Sequence, residues 1–123
     1  MLTNLSTYFR ERHPTISWLK GAHRDFAKFP DEVQRVALAA LTMAAEGGKA
    51  DSAKPFKGVE GGVFEIALPF RGNAYRVVYA VQIGADVWVV DAFQKKSKTG
   101  IKTPRADVER IRERLKRLRE ALR

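Results

Sequence analysis

The chain has 123 residues, a formal charge of +9, no cysteine and 45% hydrophobic residues, so one domain with a proper core is expected, burying roughly two-thirds of the surface an unfolded chain exposes. The absence of cysteine excludes a disulfide framework, a thiol nucleophile and cysteine-ligated zinc, and it fits a reducing cytoplasm. No apolar run approaches the ~18 residues of a membrane span, and the first residues lack the apolar core of a signal peptide; a cytoplasmic protein without membrane contact is the expectation.

In chain order, residues 1–14 read as a loosely ordered extension ending at His13-Pro14, since proline disfavours helix in the residue before it. Residues 15–123 read as a single domain. Ile16 to Leu19 suits a short strand, and residues 20–28 suit a short helix closed by Phe29-Pro30. Over residues 31–46, Val33, Val36, Ala37, Ala40, Leu41 and Ala44 form one apolar stripe at helical spacing, and Gly47-Gly48 stops the helix. The two helices together suit a helical hairpin laid over a sheet.

A loop is expected over residues 49–62, broken by Pro55, Gly58, Gly61 and Gly62. Residues 63–68, 74–82 and 86–93 then read as three strands with short connections, which makes them antiparallel neighbours. The last helix has Thr103 to cap it, Pro104 for its first position, and Asp107 and Glu109 near its start. Val108, Ile111, Leu115, Leu118 and Leu122 form its apolar stripe. The fold class is therefore α+β: an N-terminal helical hairpin and a C-terminal helix on a small antiparallel sheet.

Charge is concentrated at the C-terminal end. Residues 95–123 carry twelve Lys/Arg against four Asp/Glu, and the first 94 residues eleven against ten. Such asymmetry points to a polyanionic or acidic partner at that end. Within the sheet, Arg76 lies mid-strand, on the opposite side from Tyr75, Val77, Tyr79 and Val81. It is either a structural ion pair, with Glu65 as its partner, or a fixed bidentate clamp for a phosphate. The tract Lys95-Lys96-Ser97-Lys98 begins at a strand end, and alternation lets only one of Lys95 and Lys96 share Arg76's face. Lys54, Lys57 and Arg71 are candidate rim contacts to RNA, and Tyr75 or Tyr79 could stack a base, although a tyrosine in a strand is more often part of the core. His13 and His23 have no spacing for a metal site or catalytic pair. No Walker motif or metal-ligand cluster is present, so neither a metal nor another cofactor is expected.

The runs EIALPFRGNAYRVVYAV and WVVDAFQKKSKTGIKTP, with FAKFPDEV and KPFKG before them, resemble the HigB-like branch of the RelE/ParE toxin superfamily, over about residues 16–122. The resemblance implies a type II toxin that cleaves mRNA on the ribosome and assembles with an antitoxin, often a helix-turn-helix protein. By it, Arg76 contacts the scissile phosphate, and Lys95 and Lys96 are the cationic pair after the last strand, with Lys98 beyond them. Relatives often carry histidine where this chain has Asp91 and a basic residue where it has Ala67. Asp91 is then a base or an orienting partner for a lysine. The alternative is a weak or inactive relative that acts by binding a protein: an antitoxin, or gyrase as in ParE-type toxins. In cleavage of this kind the ribose 2′-hydroxyl is the nucleophile, so neither a protein nucleophile nor a metal is required.

Overall fold

The computed structural model describes residues 15–95 and 103–122. The extension expected over residues 1–14 lies outside the described residues, and so do Lys96 and Lys98. The elements run β1 (Ile16–Trp18), α1 (Lys20–Phe26), α2 (Asp31–Ala45), β2 (Ala53–Pro55), β3 (Val63–Phe70), β4 (Asn73–Ile83), β5 (Asp86–Lys95) and α3 (Arg105–Ala121). They form an α+β fold, with a five-stranded sheet in the order β1-β5-β4-β3-β2. The helical hairpin covers one face of the sheet and α3 the other.

The three expected strands are antiparallel neighbours, but the sheet is mixed. At one edge β1 pairs with β5 in parallel, Ile16 opposite Val87 and Trp18 opposite Val89. At the other, β2 adds a short antiparallel strand within what reads as a loop. Pro55 is tolerated there because an edge strand has one side without a ladder.

Helix α2 buries Val33, Ala37, Ala40, Leu41, Ala44 and Ala45, with Asp31 and Glu32 in its first turn favoured by the helix dipole. Val36, expected in this stripe, is 56% exposed. The helix ends in a left-handed residue, Gly47 (φ 91°), and the Gly48 N–H donates to the Met43 carbonyl at 2.8 Å, satisfying one of the last carbonyls.

Helix α3 buries Ile111, Leu115 and Leu118 against Val63, Val78, Ala80 and Val90. Its N-cap is Pro104, without a side-chain cap. Thr103, the expected cap, instead donates its hydroxyl to Glu65 Oε2 at 3.0 Å.

One irregularity decides which side chains meet. The β4–β5 register shifts between Val78, opposite Asp91, and Tyr79, opposite Val89, leaving Val90 as the extra residue. Such a bulge moves every later residue of β5 to the opposite face. Val87 and Val89 pack under the helical hairpin, whereas Val90 and Phe93 pack under α3. Without the bulge, Lys95 would face the hairpin; with it, Lys95 lies opposite Ala74 on the face that carries Arg76.

Candidate functional site

Beyond the apolar contact with α3, the same face of the sheet becomes polar. Val63 and Val78 are buried under the helix, so alternation puts Glu65 and Arg76 on that side. Lys54, exposed on β2, is paired with Glu65. Phe93 is paired with Arg76, and the buried Lys95 follows two residues later, diagonal to Arg76 at roughly 7–8 Å between backbones. Four strands thus deliver Lys54, Glu65, Arg76 and Lys95 to one region.

Arg76 is positioned but lightly committed. Its side chain is 15% exposed, and its Nε lies 3.7 Å from Glu65 Oε1, beyond hydrogen-bond reach. Its one hydrogen bond among the described residues runs from Nη1 to the Tyr75 carbonyl at 3.2 Å. A guanidinium has five donors, and among the described residues most of those of Arg76 are unspent. Glu65 is the carboxylate nearest to Arg76, and its other oxygen is occupied by Thr103. Sequence reasoning took Glu65 only as an ion-pair partner. Its place between Arg76 and Thr103 depends on cross-strand register, which local pattern does not carry.

Asp91 behaves in the opposite way. It is fully buried. Its Oδ2 accepts from Arg110 Nε at 2.9 Å, with Arg110 Nη2 paired at 2.7 Å, and its Oδ1 accepts from Arg114 Nη1 and from the Ala92 N–H, each at 2.9 Å. Arg110 also pairs with Asp107 at 2.8 Å. Burial lowers the proton affinity of Arg110, but Asp91 and Asp107 outweigh it and hold the guanidinium above the ordinary arginine range. Both oxygens of Asp91 are engaged by arginines of α3, and these contacts tie the helix to β5. Two arginines of the basic helix accordingly turn inward.

The remaining expected residues separate. Tyr79 is 1% exposed, stacked on Phe64 at 5.4 Å beneath the hairpin, and offers no ring face to a base; its alternation places it with the core. Lys57 is exposed in the loop after β2; this loop is tied to α3 by a hydrogen bond from Arg112 to the Gly58 carbonyl, not to Arg76. Arg71 is exposed at the β3–β4 turn with φ 50°, its guanidinium 5.1 Å from the centre of the Phe70 ring. Among the described residues no three potential metal-binding side chains cluster.

Residues 24–116 match the family model described as "Phage derived protein Gp49-like (DUF891)". The chain belongs to this family. No curated protein sequence matches it. Among solved structures, one chain of the toxin–antitoxin complex RelBE2 from Mycobacterium tuberculosis aligns with this Gp49-like protein at 20% identity and a TM-score of 0.44; the alignment covers 69% of the present chain and 94% of that one. The matched family region contains β2 to β5 and most of α3, and with them Lys54, Glu65, Arg76, Asp91 and Lys95. Among the described residues no helix of this Gp49-like protein is long and apolar enough to cross a membrane.

Proposed function

We propose that this Gp49-like protein is the toxin of a type II toxin–antitoxin pair, of the HigB-like kind, and that it cleaves mRNA on the ribosome. The observation that carries this reading is the state of Arg76: a guanidinium held in mid-strand, 3.7 Å from Glu65 and with most of its donors unspent among the described residues. The sequence runs around Arg76 and the lysine tract support the same reading. The basic C-terminal quarter gives the protein an electrostatic attraction to ribosomal RNA or to acidic segments of an antitoxin.

Glu65 removes the proton of the ribose 2′-hydroxyl as its oxygen attacks the adjacent phosphorus. Arg76 neutralises the extra negative charge of the phosphorane, the role for which a preorganised donor is most effective. The bond from phosphorus to the 5′-oxygen breaks, and a lysine of the Lys95-Lys96 pair supplies a proton to that oxygen. The products are a 2′,3′-cyclic phosphate and a 5′-hydroxyl. Lys54 and Arg71 hold flanking phosphates. Positioning of the substrate by the ribosome supplies what the side chains alone do not.

The test is induced expression with mapping of transcript 5′ ends. Growth arrest and new 5′-hydroxyl ends within translated regions are expected, and both disappear in Arg76→Ala. Arrest that persists in Arg76→Ala with intact transcripts would replace this reading by the protein-binding one.

A further inference from the structure

We propose that the groove between α1 and α3, at the outer edge of β5, is a nucleobase subsite that receives one base of single-stranded RNA next to the phosphate at Arg76. The inference rests on the endonuclease reading and adds the element that would set its sequence preference. Strand β1 pairs only with Val87, Trp88 and Val89, whereas β5 continues to Lys95. Past Val89 no strand among the described residues flanks this edge, and a groove of about 680 Å³ lies there. A volume of that order accommodates a nucleotide.

The edge is partly sealed. The Val90 carbonyl accepts from Arg114 Nη1 at 3.0 Å, and the Ala92 N–H donates to its neighbour Asp91 Oδ1 at 2.9 Å. Ala92 therefore turns its backbone groups outward, and alternation does the same for Gln94. Among the described residues the Ala92 carbonyl and the Gln94 N–H and carbonyl have no backbone partner on this outer edge. That run is as short as the three-residue ladder that β1 makes with Val87–Val89, so a short extended peptide is the competing occupant. A base is matched by it as well, since its edge offers two or three donors and acceptors side by side.

The walls suit the faces of a base. Phe29 and Tyr75 pack at 4.8 Å between ring centres on one side, and Phe93 lies on the other with the Arg110 guanidinium 5.8 Å from its centre. Arg24 and Lys28, with side chains 68% and 73% exposed, stand at the rim on either side of Asp25, 3.7 and 3.9 Å from its Oδ1, and together leave a net positive charge there for a phosphate. Phe93 is the cross-strand partner of Arg76 on the α3 face, and Gln94 that of Tyr75 on the hairpin face, so the groove follows the edge of β5 one strand away from Arg76, which does not line it.

The experiment is an NMR titration of the purified protein with AMP, CMP, GMP and UMP in turn, with inorganic phosphate as reference. One nucleotide should bind about tenfold or more tighter than inorganic phosphate and shift the Gln94 amide. Tyr75→Leu should weaken it about tenfold, the loss expected when a stacking ring is removed, and Tyr75→Phe should restore it. If Tyr75→Leu does not fold, the double substitution of exposed residues, Arg24→Ala with Lys28→Ala, should weaken nucleotide binding instead. The proposal is overturned if all four nucleotides bind no tighter than phosphate, or if the shifts map elsewhere. It is also overturned if an alternating Val–Glu octapeptide protects the Gln94 amide and the nucleotides do not. Cleavage lost in Arg76→Ala, in a protein whose groove ignores all four nucleotides, leaves the endonuclease standing and removes the groove; selective nucleotide binding without cleavage does the reverse.

Discussion

The Arg76 guanidinium lies 3.7 Å from the Glu65 carboxylate, while 2.7 Å separates Arg110 from Asp91 on the same sheet face. The short pair is a close ion pair through Asp91 Oδ2 alone, and the long one leaves both partners able to act on a third group. Glu65→Gln keeps the shape and removes the proton acceptor, so mRNA cleavage should fall ~10²–10⁴-fold with little change in melting temperature. Single-turnover cleavage on programmed ribosomes, beside a thermal melt, checks this. Unchanged cleavage would remove Glu65 from the chemistry.

Asp91→Ala leaves two arginines without their shared partner. The expected cost is about 3 kcal/mol, on the order of 10 °C in melting temperature. The arginines, 37% and 22% exposed, relax in part toward water. Cleavage per folded molecule at a permissive temperature should survive in Asp91→Asn. A variant that melts like the parent but has lost cleavage would return Asp91 to catalysis.

The role of Asp91 shows where local pattern stops being informative. The three central strands are legible because Val63–Phe70, Asn73–Ile83 and Asp86–Lys95 alternate and are β-branched. The stripe of α3 is equally plain. The strands β1 and β2 have three residues each, and their pairing is decided by tertiary contacts. The bulge at Val90 has no signature in the sequence, yet it turns Asp91 toward Arg110 and Arg114 and brings Lys95 to Arg76's face. Tyr79 was readable as core from its alternation with Val77. Thr103 has the residue type of a cap, but Glu65 on a distant strand takes its hydroxyl.

Arg71 and Gly72 form the two-residue β3–β4 turn, both with positive φ, 50° and 81°. Asparagine adopts this backbone more readily than arginine. Arg71→Asn should therefore stabilise the fold, by about 1 kcal/mol, while weakening RNA binding and reducing its salt dependence by about one phosphate contact. Denaturant melts and binding at several salt concentrations read the two effects. Weaker binding with an unchanged salt slope would deny Arg71 a phosphate.

Burial holds the Tyr79 hydroxyl above the ordinary tyrosine range. The folded value exceeds the unfolded one, about 10, so this contribution is fully present below pH ~10 and is lost as pH rises through the folded value. Tyr79→Phe should flatten the alkaline limb of the stability curve and leave cleavage intact. Melts between about pH 8 and 11 test this; parallel alkaline limbs for the two proteins would contradict it.

The most direct test of the endonuclease account is single-turnover cleavage of an mRNA on purified translating ribosomes by the parent chain and by Arg76→Ala, with the new ends analysed chemically. The account predicts 2′,3′-cyclic phosphate and 5′-hydroxyl ends from the parent, and a rate at least ~10²-fold lower in Arg76→Ala. Equal rates in the two proteins, or no cleavage by a folded parent chain, would contradict it.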